Sequence, residues 1–204
     1  MKKITQIFIT VFIGVFVMQL SPKDNSYSSE IKEWQEELNS EFNNPKTSPL
    51  TDEDLVNFKE LEFYSINEDF KVEAKLELNN NQKEFGMKTT TDRLPVYVKY
   101  GVASFKLKGK NLKINIYKNV ELAKKDKYKD YLFMLFNDKT SGLTSYAGGR
   151  YIDLRIPKNG KSLTIDFNKA YNPYCAYNHK YSCPIPPEED YLDIEILAGV
   201  KAYH

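Results

Sequence analysis

The stretch VYVKYGVASFKLKGKNLKINIYKN, at residues 96–119, decides the fold class of this chain. It is rich in β-branched and aromatic residues, and its second half places Leu112, Ile114 and Ile116 on one face at a period of two. The Lys-Gly-Lys-Asn link at 108–111 indicates a tight turn, so the pattern predicts a β-hairpin. The strands that it predicts lie at 95–102, 103–108 and 112–117.

Other segments repeat this texture of short strands. FKVEAKLEL (70–78) alternates apolar and charged residues, and the apolar run DYLFMLFND (130–138) predicts a strand that is buried on both faces. GRYIDLRIP (149–157) and KSLTIDFN (161–168) predict a second hairpin across the Asn-Gly pair between them, and YLDIEILAG (191–199) predicts a final strand. The expected fold class is mainly β (α+β): an antiparallel sandwich or a partly closed β-barrel with two N-terminal helices.

Composition divides the chain into an export segment, a helical segment and a β-rich domain that contains both cysteines, at residues 1–28, 29–60 and 61–204 respectively. The export segment joins a Lys-Lys start to the apolar run IFITVFIGVFVM at 7–18. That run is shorter than the ~20 residues of a membrane span, so it predicts a signal peptide or an N-terminal anchor. We expect an exported protein, periplasmic or associated with the cell envelope, with membrane contact only through residues 1–20 if the segment is uncleaved.

Two helices are expected between the export segment and the strands. Apolar residues at three- and four-residue intervals, including the only tryptophan, Trp34, predict an amphipathic helix with Ser28 or Ser29 as its cap. Trp34 is expected to anchor this helix to the body of the protein. Thr51 followed three residues later by Asp54 resembles a capping box and predicts a second, short helix.

Charge and motif content exclude several functional classes. The formal net charge is +1 and the charges are interspersed, so the chain has no basic footprint for nucleic acid. The common nucleotide-binding, metalloprotease and serine-hydrolase motifs are absent, and His179 and His204 are the only histidines. We expect no nucleic-acid partner and no cofactor.

Arg150 is the candidate anchor for a ligand. Counting by twos places it on the same face as Ile152 and Leu154, where a guanidinium is costly to bury unless a carboxylate or a ligand meets it. Gly148 and Gly149 just before it allow a tight turn or the close approach of a ligand. Two interpretations stay open: Arg150 reaches solvent at the rim of the sheet, or it binds a carboxylate or phosphate as an anion anchor.

A loop with both cysteines follows at residues 172–183, and we call it the cysteine loop. In an exported chain, Cys175 and Cys183 predict a disulfide. Zinc bound by these two residues and His179 is disfavoured, because the nearby prolines oppose a helix that would align the ligands and no fourth ligand is evident. Two free buried thiols are the remaining alternative, and we predict no metal.

The tyrosines of this region supply flat, amphipathic surface that either lines a pocket or packs the loop. Asp166 and Asn168 precede them and lie opposite the apolar face of their strand. The candidate ligand is a small anionic or sugar-like molecule. Its candidate binding residues are Arg150, Gly148, Gly149, Asp166, Asn168, Tyr171, Asn172, Tyr174 and Tyr177.

Several blocks resemble a bacterial family known as domain of unknown function 1684. They are GGRYIDL, TTTDRLPVYVKYG, DYLFMLFND with the TSG that follows it, and IDFNKAYNPYCAYNHKYSCPIPPEEDYLDIEILAGVK. The resemblance covers the chain from about Ile31 to Tyr203, with Ala147 standing where a third glycine is expected. It implies that Arg150 and the cysteine loop belong to one unit. It implies no activity, because the family has none assigned, and its cytoplasmic members favour reduced thiols.

Three functional hypotheses follow. The leading one is a binding module with a pocket between Arg150 and the cysteine loop. The second is a cell-envelope enzyme in which Asp166 or Asp153 acts as general base and Arg150 stabilises developing negative charge. The third is a structural or interaction protein without a pocket. The hypotheses differ in whether these side chains share one cleft.

Overall fold

The computed structural model describes residues 26–158 and 160–203, so most of the predicted export segment lies outside the described residues. Helix α1 spans Ser26–Asn43 and helix α2 spans Asp52–Asn57. Helix α1 therefore begins before its predicted cap, and its first turn includes the buried Tyr27. Thr51 caps α2 as predicted, since its Oγ1 accepts a hydrogen bond from the Asp54 backbone N–H at 3.1 Å.

Eight strands within the described residues form one sheet that curls into a half-barrel, which confirms the mainly β prediction in its partly closed form. The strand order is β6-β5-β4-β3-β1-β7, with β2 beside β3, and all of these pairs are antiparallel; β8 pairs with β5 in parallel. The strands are β1 Lys71–Leu78, β2 Glu84–Gly86, β3 Val96–Leu107, β4 Lys110–Asn119, β5 Tyr131–Asp138, β6 Arg150–Arg155, β7 Ser162–Asp166 and β8 Tyr191–Leu192.

The first predicted hairpin is confirmed, with one correction. Lys108 and Gly109 both have positive φ, 45° and 83°, which is the geometry of a two-residue hairpin turn. The two strands predicted at 95–102 and 103–108 are one continuous strand, β3. Its pairing with β4 shifts register between Lys99 and Gly101, so a bulge bends the strand without ending it.

The second predicted hairpin is wrong. Strand β6 pairs with β5 and strand β7 pairs with β1, so they form the two ends of the curled sheet. Gly160 has the positive φ of a turn, 65°, and Asn159 lies outside the described residues. The segment between β6 and β7 therefore crosses an open seam between the two edges of the sheet, and β6 and β7 do not pair with each other.

Hydrophobic side chains pack on both faces of the sheet. One face carries the main core, to which β5 contributes Leu132, Met134 and Phe136. The opposite face carries an aromatic cluster that includes Phe133 and Leu135, so β5 is buried on both sides as predicted. A third cluster joins the helices to the chain end, and there Trp34 meets Phe63 edge-on with ring centroids 6.2 Å apart. None of the helices in the described parts of the chain is long and apolar enough to cross a membrane.

Candidate functional site

Arg150 lies in a closed cluster of protein groups. It is 0% exposed, and its Nη2 donates to Asp138 Oδ2 at 2.8 Å and to the Ile196 carbonyl at 2.9 Å. Its Nη1 donates to the Ala198 carbonyl at 2.6 Å. The predicted position on the apolar face is correct, but the expected anion anchor at the sheet rim is not what the structure shows. The guanidinium instead holds the C-terminal segment against β5, because that segment offers carbonyls and Asp138 offers the charge.

Gly148 and Gly149 serve close packing. A Cβ on Gly148 would lie 2.4 Å from Cε1 of Tyr146. Gly149 has φ +86°, and a Cβ there would lie 2.6 Å from Cγ of Pro186 and 2.7 Å from the Phe136 carbonyl oxygen. The glycines therefore allow the proline run to approach β5 closely, and they line none of the cavities described below.

Asn172 and Tyr177 also hold the C-terminal segment. The Asn172 Nδ2 donates to the Lys201 carbonyl at 2.8 Å and to the Tyr177 hydroxyl at 3.2 Å. The Tyr177 ring packs edge-on between Phe42 of α1 and Tyr203, with centroid distances of 4.7 and 4.9 Å. Both residues are buried, so the structure places them in the packing between helix α1 and the chain end.

Asp166 and Asn168 form a buried polar cluster with helix α1. The Tyr27 hydroxyl lies 3.0 Å from both carboxylate oxygens of Asp166, and the Asn168 backbone N–H donates to Asp166 Oδ1 at 3.0 Å. Burial, followed by the negative charge of Asp166, raises the pKa of Tyr27. The Asn168 amide also spans to Asn67, donating to its carbonyl at 2.9 Å. This cluster fastens α1 to the edge of the sheet.

The three groups of the enzyme hypothesis do not share a site. Asp153 and Asp166 both line the open seam between β6 and β7, a groove of about 670 Å³. Arg150 is absent from the residues that line this groove and points to the core face of its strand. The charge-stabilising role assigned to Arg150 therefore has no partner carboxylate in a common cleft.

A concave aromatic site lies on the face of the sheet that is opposite the main core, and we call it the tyrosine pocket. Its cavity is about 320 Å³. Strands β3, β5 and β6 supply its floor, and the cysteine loop supplies its rim. It is lined by Arg93, Tyr97, Leu122, Tyr131, Phe133, Tyr151, Tyr171, Pro173, Tyr174, Tyr181, Ser182, Cys183 and Pro184. Of the predicted ligand-binding residues, Tyr171 and Tyr174 line it.

Protein groups hold most hydroxyls of these tyrosines. Tyr131 and Tyr171 both donate to Asp153 Oδ1, at 2.7 and 2.6 Å, and Tyr174 donates to Glu41 Oε1 at 2.5 Å. Burial and then the Asp153 charge raise the pKa of Tyr131 and of Tyr171, so both stay protonated at neutral pH. The rings are thereby fixed, and the pocket presents ring faces rather than free hydroxyls.

Arg93 supplies the positive charge of the pocket. Its Nε donates to the Ser182 hydroxyl at 3.1 Å and its Nη2 donates to the Ser182 carbonyl at 2.6 Å. Its Nη1 has no acceptor within residues 26–158 and 160–203. Arg93, Tyr97 and Leu122 also line a second cavity of about 600 Å³ that contains Lys125. Arg93 therefore stands between two adjoining cavities.

The predicted disulfide is not formed in the structure. Cys175 and Cys183 are both buried free cysteines, and the Cys175 backbone N–H donates to Cys183 Sγ at 3.1 Å. The proximity of the Cys183 side chain lowers the pKa of Cys175 to about 6, whereas the same proximity and burial raise the pKa of Cys183. His179 is exposed, and the described residues include no group of three or more His, Cys, Asp or Glu side chains that could hold a metal ion.

Comparison with known proteins identifies the family. The family model described as protein of unknown function (DUF1684) matches residues 56–201. The chain belongs to the DUF1684 family. It is similar to an uncharacterized protein from Haloarcula marismortui solved by solution NMR, at 30% identity, with 86% of this chain and 94% of that chain covered and a TM-score of 0.67. A search of curated proteins gave no match.

Sequence reasoning missed most walls of the tyrosine pocket in this DUF1684 protein. Arg93 was not among the predicted ligand-binding residues, and it donates to Ser182 of the cysteine loop. Tyr97, Tyr131 and Tyr151 come from three strands, so no local motif joins them. The available signal was parity, because Tyr151 and Asp153 alternate with Arg150 along one strand and must face away from the main core.

Proposed function

We propose that this DUF1684 protein is an exported module that binds a small molecule in the tyrosine pocket. The supporting observation is a concave site with rigid aromatic walls beside a guanidinium that has one nitrogen without an acceptor among the described residues. Ligand sites have this composition, with apolar and aromatic walls and few polar groups that fix orientation. The site lies beside the cysteine loop, but Arg93 takes the role that was expected of Arg150.

The chemistry of the pocket favours an anion with a flat ring over a sugar. A sugar is recognised through many hydroxyl groups and needs free hydrogen-bonding partners. Here the hydroxyls of Tyr131, Tyr171 and Tyr174 are already bonded to carboxylates. The Tyr151 hydroxyl is likewise bonded to the Pro184 carbonyl. Ring faces remain for stacking, and Arg93 remains for a carboxylate or phosphate.

The position of Arg93 fixes how such a ligand would lie. Its flat part would occupy the tyrosine pocket, and its anionic group would meet the guanidinium of Arg93, which lines both cavities. The second cavity is also lined by Lys125 and Glu121, whose charges are opposite, so Arg93 is the cation that the two cavities share. An aromatic ring with a single carboxylate or phosphate at one end could place its ring in the tyrosine pocket and its anionic group against Arg93.

Calorimetric titration and thermal shift with a matched ligand panel test this proposal. The panel contains benzoate, 4-hydroxybenzoate, indole-3-acetate and phenyl phosphate, with phenol and methyl glucoside as uncharged comparators. We expect saturable binding of aromatic anions. Arg93→Ala should weaken it about 10- to 100-fold, because a charge-assisted hydrogen bond contributes ~1.5–3 kcal/mol. Arg93→Lys should recover part of the affinity, since the charge remains without the planar fork.

The control is Lys75→Ala, which removes an exposed cation from β1 outside both cavities. Its affinity should equal that of the wild type. Tyr181→Ala, which opens the rim of the pocket, should weaken every ligand that Arg93→Ala weakens. The proposal is wrong if no aromatic anion binds the wild type, or if Arg93→Ala binds as tightly as Lys75→Ala.

Export is part of the same proposal and rests on residues 1–28 of the sequence. If cleavage occurs, we propose that it precedes Tyr27, because the buried contact of this residue with Asp166 belongs to the folded domain. N-terminal sequencing of the protein recovered from the cell envelope tests the site. A mature chain that starts after Tyr27 would contradict it, and an intact N-terminus would indicate the anchor instead.

A further inference from the structure

The two cysteines are held together by the surrounding backbone. The Cys175 backbone N–H donates to Cys183 Sγ at 3.1 Å, which places the two residues in direct contact across the loop. Cys183 is fixed in turn by the 88–93 segment: its N–H donates to Thr90 Oγ1 at 3.1 Å, and its carbonyl accepts from the Thr90 N–H at 2.9 Å. These contacts hold the Cys183 sulfur against the backbone of Cys175.

Cys183, and not Cys175, lines the tyrosine pocket. Cys175 lies behind it, 4.0 Å from the Tyr146 hydroxyl. Cys183 is 6% exposed over the whole residue, so its access to small molecules is through this pocket. The arrangement resembles an attacking thiol at an entrance with a resolving thiol directly beneath it.

We propose that Cys175 and Cys183 form a reversible dithiol–disulfide couple that exchanges with low-molecular-weight disulfides entering through the tyrosine pocket. The buried thiols are then a site of chemistry and not only part of the packing. This inference does not depend on the small-molecule ligand proposed above, because its reagent is a disulfide and its reacting atoms are the two sulfurs.

The exchange proceeds in two balanced steps. The Cys175 thiolate takes the proton of Cys183, whose sulfur attacks one sulfur of the disulfide R–S–S–R and forms a mixed disulfide. The released R–S⁻ then takes that proton from Cys175 and leaves as a thiol, so Cys175 is again a thiolate. The Cys175 thiolate then attacks the Cys183 sulfur, closes the protein disulfide and releases the second R–S⁻. Two protein thiols are oxidised and one small disulfide is reduced to two thiols, whose protons come from the protein thiols and solvent.

The environment of the pair supports its reactivity. The two cysteines are in contact through the Cys175 N–H and Cys183 Sγ, so their thiols titrate as a pair in which one proton is lost while the other is kept. The loss occurs near neutral pH, because the pKa of Cys175 is lowered to about 6. Arg93 lies on the pocket side and also favours negative charge at Cys183. Tyr146 and Tyr151 face the pair with raised pKa values, so they remain neutral donors in this range.

Intact mass spectrometry of the full chain tests the couple. The reduced protein is equilibrated in buffers of reduced and oxidised glutathione, quenched with acid and weighed, then treated with dithiothreitol. We expect the loss of two hydrogen atoms in a single transition that dithiothreitol reverses. A protein that stays fully reduced, or that retains glutathione at both cysteines without closing the disulfide, would overturn the proposal.

Two single variants test the order of attack. Cys175→Ser should accumulate a mixed disulfide at Cys183, because the resolving thiol is missing. Cys183→Ser should react at least about tenfold more slowly, since Cys175 does not border the pocket. Faster labelling of Cys183→Ser than of Cys175→Ser would overturn the entry route. If either variant loses its near-ultraviolet dichroism, the test is made on the wild type, where peptide mapping of the first mixed disulfide must find glutathione on Cys183.

Discussion

Two arginines near the cysteine loop show how differently one residue type can be used. Arg150 lies on the core face of β6, where the Asp138 carboxylate and carbonyls of the C-terminal segment surround its guanidinium. Arg93 lies on the other side of the sheet, where Ser182 is its one acceptor in the described part of the chain and a cavity opens beside it. The closed cluster at Arg150 has the features of a structural element. The open one at Arg93 has the features of a site.

Acceptors as well as burial separate these two roles. A buried guanidinium is costly unless carboxylates and carbonyls surround it, and a surrounded guanidinium has little capacity left for a ligand. Arg150 keeps only its Nε without a partner, and this atom is enclosed by protein. Arg93 is exposed and lines both cavities, and within residues 26–158 and 160–203 its Nη1 has no acceptor. The comparison predicts that Arg150 variants change stability and that Arg93 variants change binding.

The largest expected effect is that of Arg150→Ala. Removing it leaves Asp138 buried without its cation, so the free energy of unfolding should fall by ~3–5 kcal/mol. Urea unfolding followed by circular dichroism measures this loss. Arg155→Ala is the matched control, because Arg155 ends the same strand in an ion pair with Asp130 that is half exposed. It should cost ~0–1 kcal/mol, and equal losses for the two variants would contradict the contrast.

Tyr27→Phe tests a second closed cluster. The change removes the hydroxyl that contacts both oxygens of Asp166 and accepts from the Asn168 amide at 2.8 Å. Because Asp166 then loses a buried donor, unfolding should become easier by ~1–3 kcal/mol in the same urea assay. Tyr64→Phe removes an exposed hydroxyl bond to Thr144 and should change stability far less. An equal effect of the two variants would show that the buried cluster does not fasten α1.

We expect the stability of the reduced protein to depend on pH because of the Cys175–Cys183 pair. The pKa of Cys175 is lowered to about 6 in the folded state, below the ordinary value of a free cysteine, ~8.5. The unfolded chain therefore binds more protons between pH 6 and about 8.5, so stability should rise over this range and be lost as pH falls through 6. The raised pKa of Cys183 reverses the slope only above about 8.5. Tyr146 and Tyr151, which face the pair, have raised pKa values and do not titrate in this window.

Urea unfolding of the reduced protein at pH 6 and about pH 8.5 measures this slope, with thiolate absorbance as a direct titration. The control is the Cys175→Ser variant, which lacks the titrating pair and should lose most of the slope. A reduced wild type whose stability falls from pH 6 to about pH 8.5 would contradict the direction assigned to Cys175.

The alternation of apolar and polar residues predicted much of the fold, because within each strand it shows which side chains face the core. It placed Arg150 with Ile152 and Leu154 on the core face, and it showed that such an arginine needs a partner. It could not name Asp138 as that partner, because the pair depends on which strands are neighbours in the sheet. The same limit explains the second hairpin, where the Asn-Gly pair indicated a turn but the ladder partners of β6 and β7 lay elsewhere.

The candidate site was harder to predict than the fold. Tyr171 and Tyr174 were found because they lie in one tyrosine-rich loop. Tyr97, Tyr131 and Tyr151 join them only after three strands pair and the sheet curls, so their convergence has no local signature. The tyrosines of the cysteine loop indicated a ligand site, and the loop does border a cavity. Arg150 was expected to be the anchor beside it because its burial depends on contacts with residues that are distant in sequence.

Arg93→Ala is expected to have the smallest effect on stability. This small effect makes the variant a test of whether Arg93 serves binding and not folding. Arg93 is exposed, and within residues 26–158 and 160–203 it donates to Ser182 alone, so its removal should cost about 1 kcal/mol or less in urea unfolding. If the same variant loses aromatic-anion binding, stability and affinity are separated in one molecule. Arg93 then differs from Arg150 in function and not only in exposure. A loss near that of Arg150→Ala would mean that Arg93 also serves to hold the loop, and the distinction between a closed and an open arginine would fail.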